Sequence, residues 1–220
     1  MIKYALIILF SFILGSIPFG LVVNKLFFKK DPRELGSKNI GALNTLRIAA
    51  KEKGGAIGIM SFLLVFLLDA GKAILSVYLA QALIGGSLAV TLAAFFVVLG
   101  HNYSVFLKFK GGRGAASFLG ILFYLDWKAF IGWLVLVACF MVLFEVLMGR
   151  RINKKFLKYA VSDQIAGRLA GEVFALFCFY AYNILLFWPA LAATPLILIA
   201  HKDRLTEQIK EIRNKTYLND

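Results

Sequence analysis

KYALIILFSFILGSIPFGLVVNKLFFKKDPR, residues 3–33, begins as a near-continuous apolar run and ends among Lys25, Lys29, Lys30 and Arg33. A bilayer core roughly 30 Å thick needs about 20 apolar residues in a helix, and this run supplies them. Only Lys3 precedes it. A secretory signal carries its positive charge in front of the apolar region and not behind it. The run therefore reads as a retained transmembrane helix over 3–26, with its basic flank in the cytoplasm.

The rest of the chain repeats that chemistry. Of its 220 residues 60% are hydrophobic and 21 are Phe, and the mean hydropathy is +0.80, outside the range of a soluble domain. The apolar runs are continuous and do not alternate, which argues against a β-barrel. The fold class expected is all-α, a polytopic membrane protein forming one domain over 1–220. Cys139 and Cys178 lie in apolar segments without metal-like spacing and read as packing residues. No internal repeat stands out.

The net charge of +13 suggests nucleic acid at first sight. Membrane lipids explain it better, because each juxtamembrane Lys or Arg gains on the order of 1 kcal/mol from anionic headgroups. No nucleic-acid partner is expected. Basic residues concentrate in 25–53, 108–113, 150–168 and 202–215. Short basic loops stay cytoplasmic, so an even number of crossings separates neighbouring clusters. The apolar stretches 54–107, 114–148 and 169–200 fit two crossings each. Turn chemistry divides them at Gly85–Ser87, at Asp126–Lys128, and near Asn183 or Trp188-Pro189. The expectation is seven transmembrane helices, with the N-terminus outside and the C-terminus cytoplasmic.

Two polar stretches share the cytoplasmic side. GSKNIGALNTLR (36–47) crowds hydrogen-bonding groups and glycines beside the first helix. GHNYSVFLKFKGGRGAASFLG (100–120) carries KGGRG at 110–114. Glycines let backbone N–H groups converge on an anion, and a helix starting at Gly114 adds the positive end of its dipole. Lys110 and Arg113 add charge, and Arg can fork across two phosphate oxygens. Alone, KGGRG reads more simply as an interfacial turn. Paired with the first stretch, it points to two phosphorylated ligands, or one ligand with two phosphates. The Walker spacing is absent, so nucleotide hydrolysis is not supported. Asp69 and Lys72, three apart in an apolar helix, share a face and can pair. They are either functional or a structural pair facing the bundle. His101 ends an apolar run and is an interfacial histidine or a site residue.

GSIPFG (15–20), DPRELGSKNIGALNTLR (31–47), DAGK (69–72) and GHNYSVFLKFKGGRGAA (100–116) resemble the acyl-phosphate:glycerol-3-phosphate acyltransferases of bacterial membranes, the PlsY family. The resemblance runs in order through about the first 125 residues. It implies transfer of a fatty acyl group from acyl phosphate to the 1-hydroxyl of glycerol 3-phosphate, giving lysophosphatidic acid and phosphate. It also implies seven helices, an inner (plasma) membrane location and an active site facing the cytoplasm. By the same resemblance Ser37, Asn39, Gly41, Asn44, Arg47 and Ser162 bind glycerol 3-phosphate. Lys110, Gly111, Gly112, Arg113, Gly114 and Ser117 bind the acyl phosphate. Ser37, Arg47, Lys110 and His201 are the catalytic candidates, with Asp69, Lys72 and His101 in support. No cofactor and no metal are expected. The soluble enzyme that makes acyl phosphate is a further expected partner.

The second half departs from the family. Ser162 is offset by one position, Arg204 stands where the family has Asn, and Gln208 lies one turn further on as a substitute. The family's GTE has no counterpart. Arg113 replaces a Lys, and Leu43 a Thr. These departures leave open a competing reading, a non-catalytic or transporter-like membrane protein that binds phosphorylated ligands.

Overall fold

A computed structural model describes residues 1–148 and 164–214, and among these residues the chain is entirely helical. Ser162 and most of the third basic cluster lie outside the described residues.

The first apolar run is two helices, α1 (Ile2–Ser16) and α2 (Phe19–Phe28), where the sequence predicts one. The reason is local. Pro18 lacks an N–H and pushes the residue before it out of helical geometry, and Ile17 is accordingly extended at ψ 116°. The polar stretch then contains a helix that was not anticipated, α3 (Ala42–Lys53). Next come α4 (Gly55–Leu83), α5 (Gly86–Asn102), a 3₁₀ turn (Val105–Leu107), α6 (Ala115–Leu125) and α7 (Trp127–Leu147). After the undescribed segment follow α8 (Ala166–Tyr182), α9 (Ile184–Ala200) and α10 (Lys202–Arg213).

Three expected breaks are present, each with its own chemistry. Gly85 and Gly86 both take φ 77° between α4 and α5. Asp126 caps α7 by accepting from the Lys128 and Ala129 amides at 2.8 and 3.2 Å. Asn183 caps α9 through the Leu185 amide at 3.0 Å. The last division is therefore at Asn183, and Pro189 sits inside α9.

Among the described residues four helical stretches are long and apolar enough to cross a membrane: Ile2–Phe28, Gly55–Leu83, Gly86–Leu107 and Trp127–Leu147. The pair α9 and α10, bent by 58°, makes a fifth only if it is one broken span. By contrast α6 has 11 residues, about 16 Å of helix, half a bilayer core.

Small residues set the packing, as they do where membrane helices approach closely. A Cβ at Gly15 would lie 2.2 Å from the Val97 carbonyl oxygen, and one at Gly100 would lie 2.2 Å from that of Phe12. These glycines bring α1 against α5. Beneath them Ala73, Val77, Ala80, Ala93 and Val97 are fully buried. The Ile17 carbonyl, left without a helical donor at the Pro18 break, accepts from Lys72 Nζ at 2.9 Å. Lys72 is in turn paired with Asp69 at 2.8 Å, both side chains being 2% exposed. The DAGK residues thus fasten the first helix break to the core.

Candidate active site

The first polar stretch is organised by one buried side chain. Asn44, 1% exposed, donates from Nδ2 to the carbonyls of Pro32, Leu35 and Asn39 at 2.9, 2.9 and 2.8 Å. Its Oδ1 accepts from the Ser37 amide at 2.9 Å. Asn24 on α2 donates to Thr45 Oγ1 at 2.7 Å and so anchors the start of α3. This scaffold presents Ser37, Asn39 and Arg47 to one cavity.

The KGGRG turn is built differently from the expectation. The Gly111 amide donates to the Asn102 carbonyl at 3.0 Å, and the Gly112 amide to that of His101 at 2.8 Å. Both N–H groups are already used, so they do not converge on an anion. Gly112 is small for another reason, since a Cβ there would lie 2.2 Å from His101 Nε2. The amides that fit an anion are one step further on. Gly114, at φ 80°, caps α6, and the first helical bond runs from the Phe118 amide to the Gly114 carbonyl at 2.9 Å. Ala115 and Ala116 therefore lie in the first turn, where amides have no helical acceptor, and both line the cavity.

The third wall comes from the C-terminal elements. Gln208 Oε1 accepts from the Ile165 and Ala166 amides at 3.0 and 2.8 Å, capping α8 from α10. One turn before Gln208 is Arg204, and His201 stands at the α9–α10 bend. His201 is 2% exposed. Its Nδ1 is 2.8 Å from the Ile197 carbonyl, which can only accept, so Nδ1 carries the proton and Nε2 the lone pair.

These walls border a cavity of about 450 Å³ whose lining is of two unlike kinds. It combines Arg47, Arg113, Arg168, Arg204 and His201 with the apolar Phe62, Phe66, Leu119, Leu134, Val137 and Met141. The short α6 explains the apolar part. Ser117 Oγ donates to the Asp69 carbonyl at 3.0 Å, so Phe62, two turns earlier on α4, lies beyond the start of α6. Phe62 and Phe66 of α4 and Leu134, Val137 and Met141 of α7 all line the cavity.

The cationic part is under electrostatic load. Burial, then the charges of Arg204 and Arg168, push the Arg113 guanidinium down to about 10. Burial first, then Arg168, Arg113 and Arg204, push the His201 imidazole down to about 3, against the pull of the Ile197 carbonyl. An incoming anion would relieve this repulsion. Among the described residues no group of three His, Cys, Asp or Glu is placed to hold a metal ion.

Of the residues expected from the sequence, Ser37, Asn39, Gly41, Asn44, Arg47, Asp69, His101, Arg113, Gly114 and His201 line this cavity. Lys110, Gly111 and Gly112 line a smaller one behind it. Ser117 is fully buried in the α4–α6 contact, and Lys72 is buried at the helix break. In the sequence Arg168 stands only as one of a basic cluster. Its position at the head of an apolar helix, four residues before Glu172, was the available signal.

Comparison with known proteins agrees with this architecture. The family model described as Glycerol-3-phosphate acyltransferase matches residues 5–211. The glycerol-3-phosphate acyltransferase of Pelagibacter ubique (strain HTCC1062) is 35% identical over 213 residues, covering 97% of this chain and 95% of that one. That of Jannaschia sp. (strain CCS1) is 46% identical over 119 residues, and the chain spans about half of its length (54%). Among solved structures, the integral membrane glycerol 3-phosphate acyltransferase PlsY in its glycerol 3-phosphate form superposes with a TM-score of 0.70 at 25% identity, covering 96% of this chain and 94% of that one.

Proposed function

The chain belongs to the glycerol-3-phosphate acyltransferase family, and on that premise we propose that the amphipathic cavity is where acyl chain, acyl phosphate group and glycerol 3-phosphate meet. The protein is an integral-membrane acyltransferase acting on glycerol 3-phosphate. The observation that carries the site assignment is the pairing, in one cavity, of an arginine cluster with an apolar lining. A lipid-tailed phosphate has those two halves. The transporter-like alternative has no observation in its favour.

In this reading Ser37, Asn39 and Arg47 hold glycerol 3-phosphate on the scaffold made by Asn44 and Gly41. Ser162 joins them on the resemblance alone. Arg113 and the first turn of α6 at Gly114 hold the acyl phosphate, with Arg168 and Arg204 nearby. The acyl tail lies between Phe62, Phe66 and the Leu134–Met141 face of α7. The 1-hydroxyl oxygen attacks the acyl carbonyl, the bond from that carbon to the phosphate oxygen breaks, and the departing phosphate takes the hydroxyl proton. Burial and the neighbouring arginines hold the His201 imidazole well below its usual range, and the departing phosphate is itself at hand to take that proton. The His201 Nε2 lone pair instead accepts a hydrogen bond from the neighbouring 2-hydroxyl of glycerol 3-phosphate, which orients the substrate and leaves the 1-hydroxyl proton for the phosphate. Catalysis then comes from positioning and from the cations that stabilise developing negative charge.

The donor, the orientation and the seven-span count belong to the same proposal. The chain forms one domain in the inner membrane, with the basic loops and this cavity on the cytoplasmic side. Cysteine labelling at Lys29 in sealed cells checks the orientation, and reaction with an external reagent would reverse it. For the site itself, an acyl phosphonate with a photoreactive chain terminus should label α4 near Phe62–Phe66 or α7 near Leu134–Met141. Labelling confined to other helices would overturn the assignment.

A further inference from the structure

The side of α2 that is turned inward meets the first polar stretch almost residue by residue. Gly20, Leu21, Val23, Asn24 and Phe28 are its buried residues, spaced as one side of a helix. The partners of the first four follow the chain in order. A Cβ at Gly20 would lie 1.7 Å from the Ile40 carbonyl oxygen, so the two backbones touch. Leu21 packs with Ile40 and Leu107, and Val23 with Ala42 and Val65. Asn24 Nδ2 then donates to Thr45 Oγ1 at 2.7 Å. At its other end α2 follows the Pro18 break, where Lys72 Nζ holds the Ile17 carbonyl at 2.9 Å.

Arg47 lies just beyond this contact. It follows Thr45 by two residues, about 200° around a helix, so the two side chains leave α3 on nearly opposite sides. Thr45 is fully buried against α2, whereas Arg47 lines the large cavity. On another side α4 closes on α3, since a Cβ at Gly58 would lie 2.8 Å from Ala50 Cβ and 3.0 Å from the Leu46 carbonyl oxygen. A shift of α3 against α2 therefore carries Arg47 with it. The Asn24–Thr45 bond resists such a shift in a way that packing does not. Apolar burial is non-directional, but a hydrogen bond fixes distance and angle. That precision has a cost in stability. Asn24 is fully buried, and its Oδ1 has no hydrogen-bond partner among the described residues, a penalty that a leucine there would not carry.

We propose that Asn24 and Thr45 are positioning residues for the acceptor phosphate. In this arrangement α2 is a strut, fixed by Lys72 at the Pro18 break and by Asn24 further along, that holds α3 where Arg47 meets glycerol 3-phosphate. The break at Pro18 is then part of the site, because it turns α2 onto the polar stretch. The inference rests on the glycerol 3-phosphate reading of the cavity.

The test separates placement from stability. Asn24→Leu and Thr45→Val each remove the bond with little change in side-chain size, and each leaves a buried polar group behind. Combining them replaces both partners with apolar groups, so the melting temperature should recover. Binding is read as equilibrium dialysis of labelled glycerol 3-phosphate without acyl phosphate, and Michaelis curves follow for both substrates. Both single variants and the double variant should raise the Kd and KM for glycerol 3-phosphate about tenfold, the scale of a sub-ångström misplacement. The KM for acyl phosphate should stay within about twofold of wild type. Thr45→Ser keeps the hydroxyl and should rescue acceptor binding. On an Arg47→Ala background Asn24→Leu should add no further loss, since it acts through Arg47. A double variant that recovers acceptor affinity along with its melting temperature overturns the proposal, because the bond would then serve the fold alone. So does additive loss on the Arg47→Ala background. Wild type that retains no glycerol 3-phosphate would sink the acceptor assignment and this inference together, whereas wild-type affinity in folded Asn24→Leu sinks this inference alone.

Discussion

Replacing Gly112 by Ala tests whether this glycine serves His101 or a ligand. The added methyl would lie 2.2 Å from His101 Nε2 and 2.9 and 3.1 Å from the adjacent ring carbons. Ordinary contact begins near 3.4 Å, so the ring must retreat by about 1.2 Å. It has little room, being 5% exposed with Nδ1 3.5 Å from Asp69 Oδ1. Overpacking of this kind costs about 1–3 kcal/mol, or a fall of roughly 3–10 °C in melting temperature for a chain of this size. His101→Ala removes the obstacle. In a double-mutant cycle read by thermal unfolding in detergent, Gly112→Ala on the His101→Ala background should cost about 1–2 kcal/mol less than on wild type. Coupling below about 0.5 kcal/mol, with the defect confined to the KM for acyl phosphate, would refute this. The glycine would then serve the ligand after all.

Three further outcomes are expected. Arg47→Ala should lower kcat/KM for glycerol 3-phosphate by roughly 10- to 150-fold, the worth of a charge-assisted hydrogen bond; a defect in acyl-phosphate saturation instead would exchange the two ligand assignments. Asp69→Asn should destabilise by about 3–5 kcal/mol, because Lys72 is left as a buried charge without its carboxylate. Adding Lys72→Met should recover much of that loss in the same melts, and no recovery would mean that the pair is not the cause. For pH, the folded protein holds His201 near 3 while the unfolded value is about 6.5, so the unfolded state binds more protons in between. Stability should be full above about 6.5 and fall as pH drops, by at most about 1.4 kcal/mol per unit from this group. His201→Gln should flatten that slope, and an unchanged slope would remove His201 from the account.

What was legible in the sequence was mostly local chemistry. Gly85, Asp126 and Asn183 mark helix ends because caps and left-handed turns involve only neighbouring residues. Asp69 and Lys72 could be paired by their spacing, but Lys72's second partner, Ile17, is 55 residues away and is accessible only because Pro18 breaks the helix. That break was hidden by the continuous hydrophobicity around it. The helix α3 was missed because ALNTLRIAAKEK follows glycines and reads as loop, whereas its anchors are Asn24 and the carbonyls held by Asn44. In KGGRG the Gly111 and Gly112 amides bond to the end of α5, a tertiary contact that no glycine pattern announces. Ser117 likewise has its hydroxyl turned into a helix contact. The arginine cluster forms only when α6, α8 and α10 converge, so in the sequence Arg168 is marked only by Glu172, four residues on.

The most direct measurement is acyl transfer by the purified protein supplied with acyl phosphate and labelled glycerol 3-phosphate. Lysophosphatidic acid and inorganic phosphate should appear in equal amounts, and Arg113→Ala, which removes the guanidinium at the junction of both cavities, should slow their formation by at least about tenfold. Folded protein that makes neither product from acyl phosphate, or an Arg113→Ala variant as fast as wild type, would contradict the account.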